Sequence, residues 1–223
     1  MIIYLNTIYR CKLIFKKKIY FCQLGKNGKV PNYKKTEGDK CTPIGKFTIK
    51  SIFLRRDKKL NIPFRKSIKN KIYYIRENYG WCDDVDSKKY NQLVDLIPNF
   101  KYSHEKLYRC DDVYDIILEL NYNQNPTIRN KGSAIFLHCS FIDLRNTNGC
   151  IAIKKNNLKF IINNLQKINY IYIRWYKFLE NNMINNVLPI FLGILGLLSA
   201  YFVYLKVKAS PEGTGKVKEI GDE

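Results

Sequence analysis

A histidine closing an apolar run and a cysteine twelve positions later are the residues here best suited to chemistry. Gly132-Ser-Ala-Ile-Phe-Leu-His138 leads through a polar segment to Thr147-Asn148-Gly149-Cys150-Ile151-Ala152. Imidazole and thiol are the minimum set for acyl transfer on sulfur: the base removes the thiol proton and the thiolate attacks a carbonyl. With two histidines in the chain, the choice of general base is short. Glycine at position 149 lets the backbone turn sharply, so the N–H groups of Gly149 and Cys150 can aim at a developing oxyanion. At the end of a strand, His138 can rest its second nitrogen on a backbone carbonyl, and such a dyad needs no acidic third member. Cys139 is the rival nucleophile, but strand alternation sends residues 138 and 139 to opposite faces, which predicts that Cys139 packs in the core. A metal site built from His138, Cys139 and Cys150 lacks ligand-pair spacing, so neither metal nor cofactor is expected.

The elements that must position this pair are mostly short strands. Ile2 to Leu5, Lys12 to Phe15 and Ile19 to Leu24 are rich in β-formers, and Gly25-Lys-Asn-Gly28 reads as a hairpin signal. Lys16-Lys17-Lys18 reads as an exposed strand rim. Thr42-Pro43-Ile-Gly45 reads as a turn launching an alternating strand over Lys46 to Lys50. Residues 55 to 71 are basic and broken by Pro63, hence loop or edge, and Lys71 to Arg76 suits a short strand. Tyr79 to Asp84 reads as a turn with Trp81 as packing anchor or ligand platform; Asp83 and Asp84 fit an acid pair or turn caps. Tyr114 to Leu120 and Ala134 to Leu137 are strands, the second presenting His138. Asn156 to Leu165 places Leu158, Ile161, Ile162 and Leu165 at helical spacing. Asn169 to Trp175 closes the domain as a strand. The pattern predicts a mainly antiparallel β fold with one or two short helices.

The 223 residues suit one domain, residues 1–176, plus an appendage. Residues 177–186 read as linker, 187–205 as a transmembrane helix and 206–223 as a polar tail. The apolar stretch Val187 to Leu205 carries no charge and would span about 28 Å as a helix, one bilayer core. Lys206 and Lys208 lean toward a cytoplasmic C-terminus, leaving the domain outside. In the tail four lysines cancel four acids, so the net charge of +20 belongs to the rest of the chain. That field favours anionic partners, although a Lys-, Asn-, Ile- and Tyr-rich composition also arises in AT-rich genomes whatever the function. No arginine-glycine run, zinc finger or RNA-binding aromatic signature accompanies it, so nucleic acid is not an expected partner. Seven cysteines with no Cys-x-x-Cys pair argue against a zinc ribbon and a fully paired disulfide framework. The N-terminus shows no recognisable signal peptide.

His138, the intervening loop and Thr147-Asn148-Gly149-Cys150-Ile151 resemble the signature of the L,D-transpeptidase (YkuD-type) catalytic domain. Glu37-Gly38-Asp39-Lys-Cys-Thr42-Pro43-Ile-Gly45-Lys-Phe-Thr48 is similar to that family's Gly-Asp-x-x-Thr-Pro-x-Gly segment near the substrate groove. Gly80-Trp81-Cys82-Asp83-Asp84, Ser103-His104-Glu105-Lys106-Leu107-Tyr108 and Tyr114-Asp115 are similar to a compact branch of it. Where the familiar form has an arginine two residues after the cysteine, this chain has Ala152.

The resemblance implies a β-sandwich-like domain acting on peptidoglycan stem peptides in the cell envelope or periplasm. Cys150 would be nucleophile, His138 general base and acid, and the Gly149 amide an oxyanion donor. Thr147, Asn148, Trp81, His104, Thr42 and Gly45 would line the substrate groove, with His104 equally readable as a structural loop histidine. Cys150 would expel terminal D-alanine from a donor stem and pass the acyl group to an amine, giving a 3→3 cross-link, and a carbapenem would acylate the thiol. Water as acceptor would make an L,D-carboxypeptidase; a wall-binding module without catalysis and a basic nucleic-acid binder are the alternatives outside the enzyme class. Residues 187 to 223 resemble the first membrane helix and following segment of membrane-bound pyrophosphatases, without any active-site residue of those pumps. A true anchor and a neighbouring reading frame starting at Met183 both fit that likeness.

Overall fold

A computed structural model describes residues 2–5, 11–63, 71–165, 170–174 and 180–209. Residues 64–70 of the basic loop, Asn169 and Trp175 at the ends of the last expected strand, linker residues 177–179 and the tail from 210 onward lie outside them. The chain divides into two compact units, residues 1–176 and 177–223.

The first unit is mainly β. Its strands are β1 (Ile2–Leu5), β2 (Cys11–Phe15), β3 (Lys18–Gln23), β4 (Lys29–Pro31), β5 (Thr42–Leu54), β6 (Lys71–Tyr74) and β7 (Tyr79–Cys82). There follow β8 (Leu93–Asp95), β9 (His104–Lys106), β10 (Ile116–Leu120), β11 (Phe136–Cys139), β12 (Ile151–Ile153), helix α1 (Lys155–Asn163) and β13 (Tyr170–Arg174). The main sheet runs β10-β11-β12-β3-β2-β1-β13-β5-β4, with β6 on β5. The long β5 pairs β13 along its first part and β10 along its second, so its hydrogen bonding closes on itself around one core. A separate three-stranded sheet has β7 between β8 and β9.

Alternation along three buried central strands sets up everything that follows. On β10, β11 and β12 one face carries Ile116, Leu118, Leu137, Cys139, Ile151 and Ile153 into the main core, where Leu158, Ile161 and Ile162 of α1 cover them. The opposite face carries Ile117, Phe136 and Cys150 into a second cluster with Phe53, Trp81 and Tyr114. Strand period two therefore puts His138 on the same face as Phe136, and Cys139 on the other.

Three local expectations are corrected. The turn at Gly25–Gly28 forms, with the Gly28 N–H donating to the Gly25 carbonyl at 2.8 Å, yet it is no hairpin. Its flanking strands do not pair with each other: β3 joins β2 and β12, and β4 joins β5 in parallel. The hairpin turn is Lys16–Lys17, whose φ values of 48° and 63° supply the primed geometry that twisted strands require. A lysine run masks a turn usually written with Asn and Gly. Thr42–Gly45 is the beginning of β5 rather than a turn before it. Tyr79–Cys82 is the central strand of the small sheet; Gly80 permits it, since a Cβ there would stand 2.7 Å from Leu96 Cδ2.

The second unit holds α2 (Glu180–Lys208), which contains Pro189. Residues 189–208 are long and apolar enough to cross a membrane, and none of that span is buried.

Candidate active site

β11 and β12 are parallel neighbours with Leu137 opposite Ile151 and His138 opposite Ala152. Parallel strands cannot be joined by a tight turn, and the connection here is the polar loop that ends in Cys150. The register puts Cys150 beside Phe136, one same-face step from His138, and both side chains line a cavity of about 890 Å³. His138 is 2% exposed and Cys150 8%.

The imidazole is held as the sequence suggests. Its Nδ1 lies 2.8 Å from the Cys139 carbonyl; a carbonyl can only accept, so Nδ1 carries the proton and Nε2 keeps a free lone pair. The Tyr114 ring meets the imidazole edge-on with centroids 5.1 Å apart. Burial brings the His138 pKa down to about 4, against the upward pull of the Cys139 carbonyl.

The thiol donates to the Ala134 carbonyl at 3.0 Å and accepts from the Phe136 N–H at 3.4 Å. Burial first, and then the charge of Glu105, push it well above the ordinary cysteine range, with Phe136 N–H and Lys35 acting the other way. Thiol and imidazole therefore rest as a neutral pair. Ala134 turns its carbonyl to the sulfur through a φ of 51°, and its N–H donates to Asn91 Oδ1 at 3.1 Å. Asn91 also accepts from Trp81 Nε1 at 3.0 Å and donates to the carbonyls of Tyr122 and Asn123. Trp81 and Asn91 thus fix the thiol's acceptor from the core; neither lines the cavity.

The peptide carrying Cys150 is clamped from behind. The Thr147 hydroxyl donates to the Cys150 carbonyl at 2.6 Å and accepts from the Gly149 N–H at 3.2 Å. The Thr42 hydroxyl stands 3.4 Å from the same carbonyl and accepts from the Gly25 N–H at 2.8 Å. Backbone bonds from Lys26 N–H to Thr147 O and from Thr147 N–H to Leu24 O, each 2.9 Å, pin the loop to the end of β3. Thr147, Asn148 and His104 line the cavity, whereas Thr42, Gly45 and Trp81 do not. His104 Nδ1 rests 2.8 Å from the Tyr102 carbonyl. Gly45 lies in β5, where a Cβ would stand 2.7 Å from the Phe47 ring.

A model of the L,D-transpeptidase catalytic domain (YkuD) matches residues 7–173. The chain belongs to that family. No curated protein matches the chain. Its L,D-transpeptidase fold brings together the histidine and cysteine that the sequence singled out, and adds cavity residues it did not assign: Lys35, Glu105, Arg109, Tyr114, Ser133 and Arg145. Glu105 and Tyr114 sit in motifs visible in the sequence, but their convergence depends on how β9 of the small sheet meets the 3-10 turn Asp112–Tyr114 that precedes β10. Asn91 has no local signal at all.

Two substitutions probe the clamp. Thr147→Val removes two buried hydrogen bonds and is expected to cost about 1–3 kcal/mol of unfolding free energy, with turnover falling up to about a hundredfold through displacement of the thiol; Thr147→Ser retains both. Denaturant melts and acyl-transfer rates on the three proteins measure it. In Gly25→Ala the new Cβ would stand 2.3 Å from the Lys40 carbonyl oxygen. Backbone has to move, so a loss of about 2–3 kcal/mol is expected, read as a lowered denaturation midpoint.

Proposed function

We propose that this L,D-transpeptidase domain is catalytically active and forms 3→3 cross-links between peptidoglycan stem peptides through a Cys150 thioester. One observation supports this most: a thiol and an imidazole with a free Nε2 share a face and a cavity. Both groups rest neutral, so the proton leaves sulfur only as attack begins. His138 Nε2 takes it, Sγ adds to the carbonyl of the donor diamino-acid residue, and the imidazolium protonates departing D-alanine. The Cys150 amide is the oxyanion donor, joined by the Gly149 amide when the long bond to Thr147 Oγ1 yields. Thr147, Asn148 and His104 contact the stem, while Thr42, Gly45 and Trp81 support the site from outside the cavity. The cationic surface suits an anionic wall polymer. The apolar span 187–205 anchors the domain at the outer side of a membrane, consistent with the family's place in the cell envelope. Its helix already begins at Glu180, inside the expected linker 177–186, and runs to Lys208, inside the expected tail 206–223.

The test is incubation of the purified chain with a diaminopimelate tetrapeptide, with products resolved by mass. A dimer lacking one D-alanine supports the reading. Tripeptide plus D-alanine without dimer replaces it with carboxypeptidase action, and intact substrate on folded protein refutes it.

A further inference from the structure

A carboxylate on the cavity wall is engaged by a tyrosine hydroxyl rather than by an ion-pair partner. Glu105 lies on β9 opposite Trp81, lines the cavity with Cys150 and His138, and accepts the Tyr114 hydroxyl at 2.5 Å. Among the described residues it forms no ion pair. Arg109 shares the cavity but is committed: Nε and Nη2 bind both oxygens of Asp111 at 2.8 and 2.6 Å. Lys35 is likewise held by Asp39 at 2.6 Å. A half-buried carboxylate without an ion-pair partner is costly: desolvation raises the Glu105 pKa against the opposing pull of the Tyr114 hydroxyl and the Arg109 charge, and its charge in turn opposes thiolate formation at Cys150. Such a group is explained by a cation that arrives during the reaction.

The rest of the cavity wall matches a cation with several donors. Ser133, 6% exposed, has a buried hydroxyl without a hydrogen-bond partner, and Asp83 Oδ1 is buried and unpartnered too, among the described residues. Both line the same cavity. Carboxylate, carboxylate and hydroxyl offer three acceptors to the three N–H donors of a primary ammonium. Glu105 is also one ring from the base, since Tyr114 bridges from its carboxylate to the edge contact with His138.

We propose that Glu105, with Asp83 and Ser133, forms the subsite that receives the primary ammonium of the acyl acceptor and thereby selects amine over water. The proposal rests on Cys150 as acyl carrier. The incoming ammonium gives one proton to the Glu105 carboxylate, which passes it to solvent. The free amine attacks the thioester carbonyl; its second proton moves to His138 Nε2, the C–N bond forms and the C–S bond breaks. The departing sulfur recovers a proton from the imidazolium, leaving an amide, a neutral thiol and one proton released. Once bound, the ammonium also offsets the Glu105 charge that the sulfur feels.

The test partitions the acyl-enzyme between water and two nucleophiles, the cationic amide of a D-amino acid and hydroxylamine, which is neutral at pH 7. In Glu105→Gln the ratio of aminolysis to hydrolysis is expected to fall about tenfold for the cationic acceptor, the scale of one charge-assisted hydrogen bond, and to hold for hydroxylamine. Glu105→Asp restores part of it, and Tyr114→Phe, which keeps the carboxylate but frees it, gives a smaller loss in the same direction. Equal losses with both nucleophiles, or an unchanged ratio in folded Glu105→Gln, overturn the proposal. A second measurement needs no turnover: methylammonium chloride should accelerate iodoacetamide labelling of Cys150, read by peptide mass, in wild type but not in Glu105→Gln, with sodium chloride as the ionic-strength control. Absence of that acceleration overturns the subsite while leaving acyl transfer intact; absence of any acyl-enzyme alongside it removes the acyl-transfer reading instead.

Discussion

Replacing Cys150 with alanine is expected to abolish the single covalent carbapenem adduct and lower D-alanine release by roughly 10⁴-fold or more, while Cys139→Ala keeps both. The two thiols are eleven residues apart in sequence and on opposite faces of adjoining strands. Cys139 points into the main core, and burial pushes its pKa up to about 12. Cys150 faces the cavity that His138 also lines. The contrast with a non-selective reagent sharpens the test. All seven cysteines are free, and Cys110 is exposed, so iodoacetamide should label Cys110 first. A reagent shaped like substrate should prefer Cys150, because the cavity delivers its carbonyl to a thiol that is slow toward a non-selective reagent. Intact-protein mass spectrometry followed by peptide mapping reads both. An adduct that persists in Cys150→Ala would move the nucleophile elsewhere.

The placing of His138 and Cys150 on one cavity wall was legible because it depends on local rules. An apolar run that ends in histidine must be a buried strand end, and period two separates His138 from Cys139 without any tertiary knowledge. The amphipathic helix near residue 160 and the uncharged stretch after residue 187 follow from spacing and length in the same way. Thr42 illustrates what was not legible. Its type and motif suggested a groove residue, yet its hydroxyl reaches the Cys150 carbonyl from behind, a contact across more than a hundred residues that no local pattern encodes. Trp81 is similar: its indole N–H is spent on Asn91, which orients Ala134 and so the resting thiol. The misplaced hairpin has another cause. Lys16 and Lys17 adopt positive φ without the residues that normally advertise it, so propensity favoured the glycines downstream. Sheet closure through the two halves of β5 likewise depends on which strands meet, and residue types alone do not say.

His138→Gln should cut the acylation rate by about 10²–10⁴, the usual contribution of a positioned general base, and should also change how the fold responds to acid. The second effect carries a definite sign. Burial lowers the folded-state pKa of His138 to about 4, below its ordinary 6.5. Between those values the unfolded chain binds a proton that the native state refuses, so stability is full above about pH 6.5 and is lost as pH falls toward 4. The shift corresponds to roughly 3 kcal/mol across that window. Glutamine does not titrate, so the stability difference between variant and wild type should move by about that amount in the variant's favour from pH 7 to pH 4. Urea melts of both proteins at each pH isolate the contribution, because other titrating groups cancel in the difference. Activity reports the same group independently. A base with its pKa near 4 keeps its lone pair in mild acid, so the acid limb of kcat/KM should fall well below pH 6.5 rather than at it. An acid limb at the ordinary histidine value, together with a pH-independent stability difference, would mean that the imidazole is solvated and that the neutral resting pair is not the state from which Cys150 reacts.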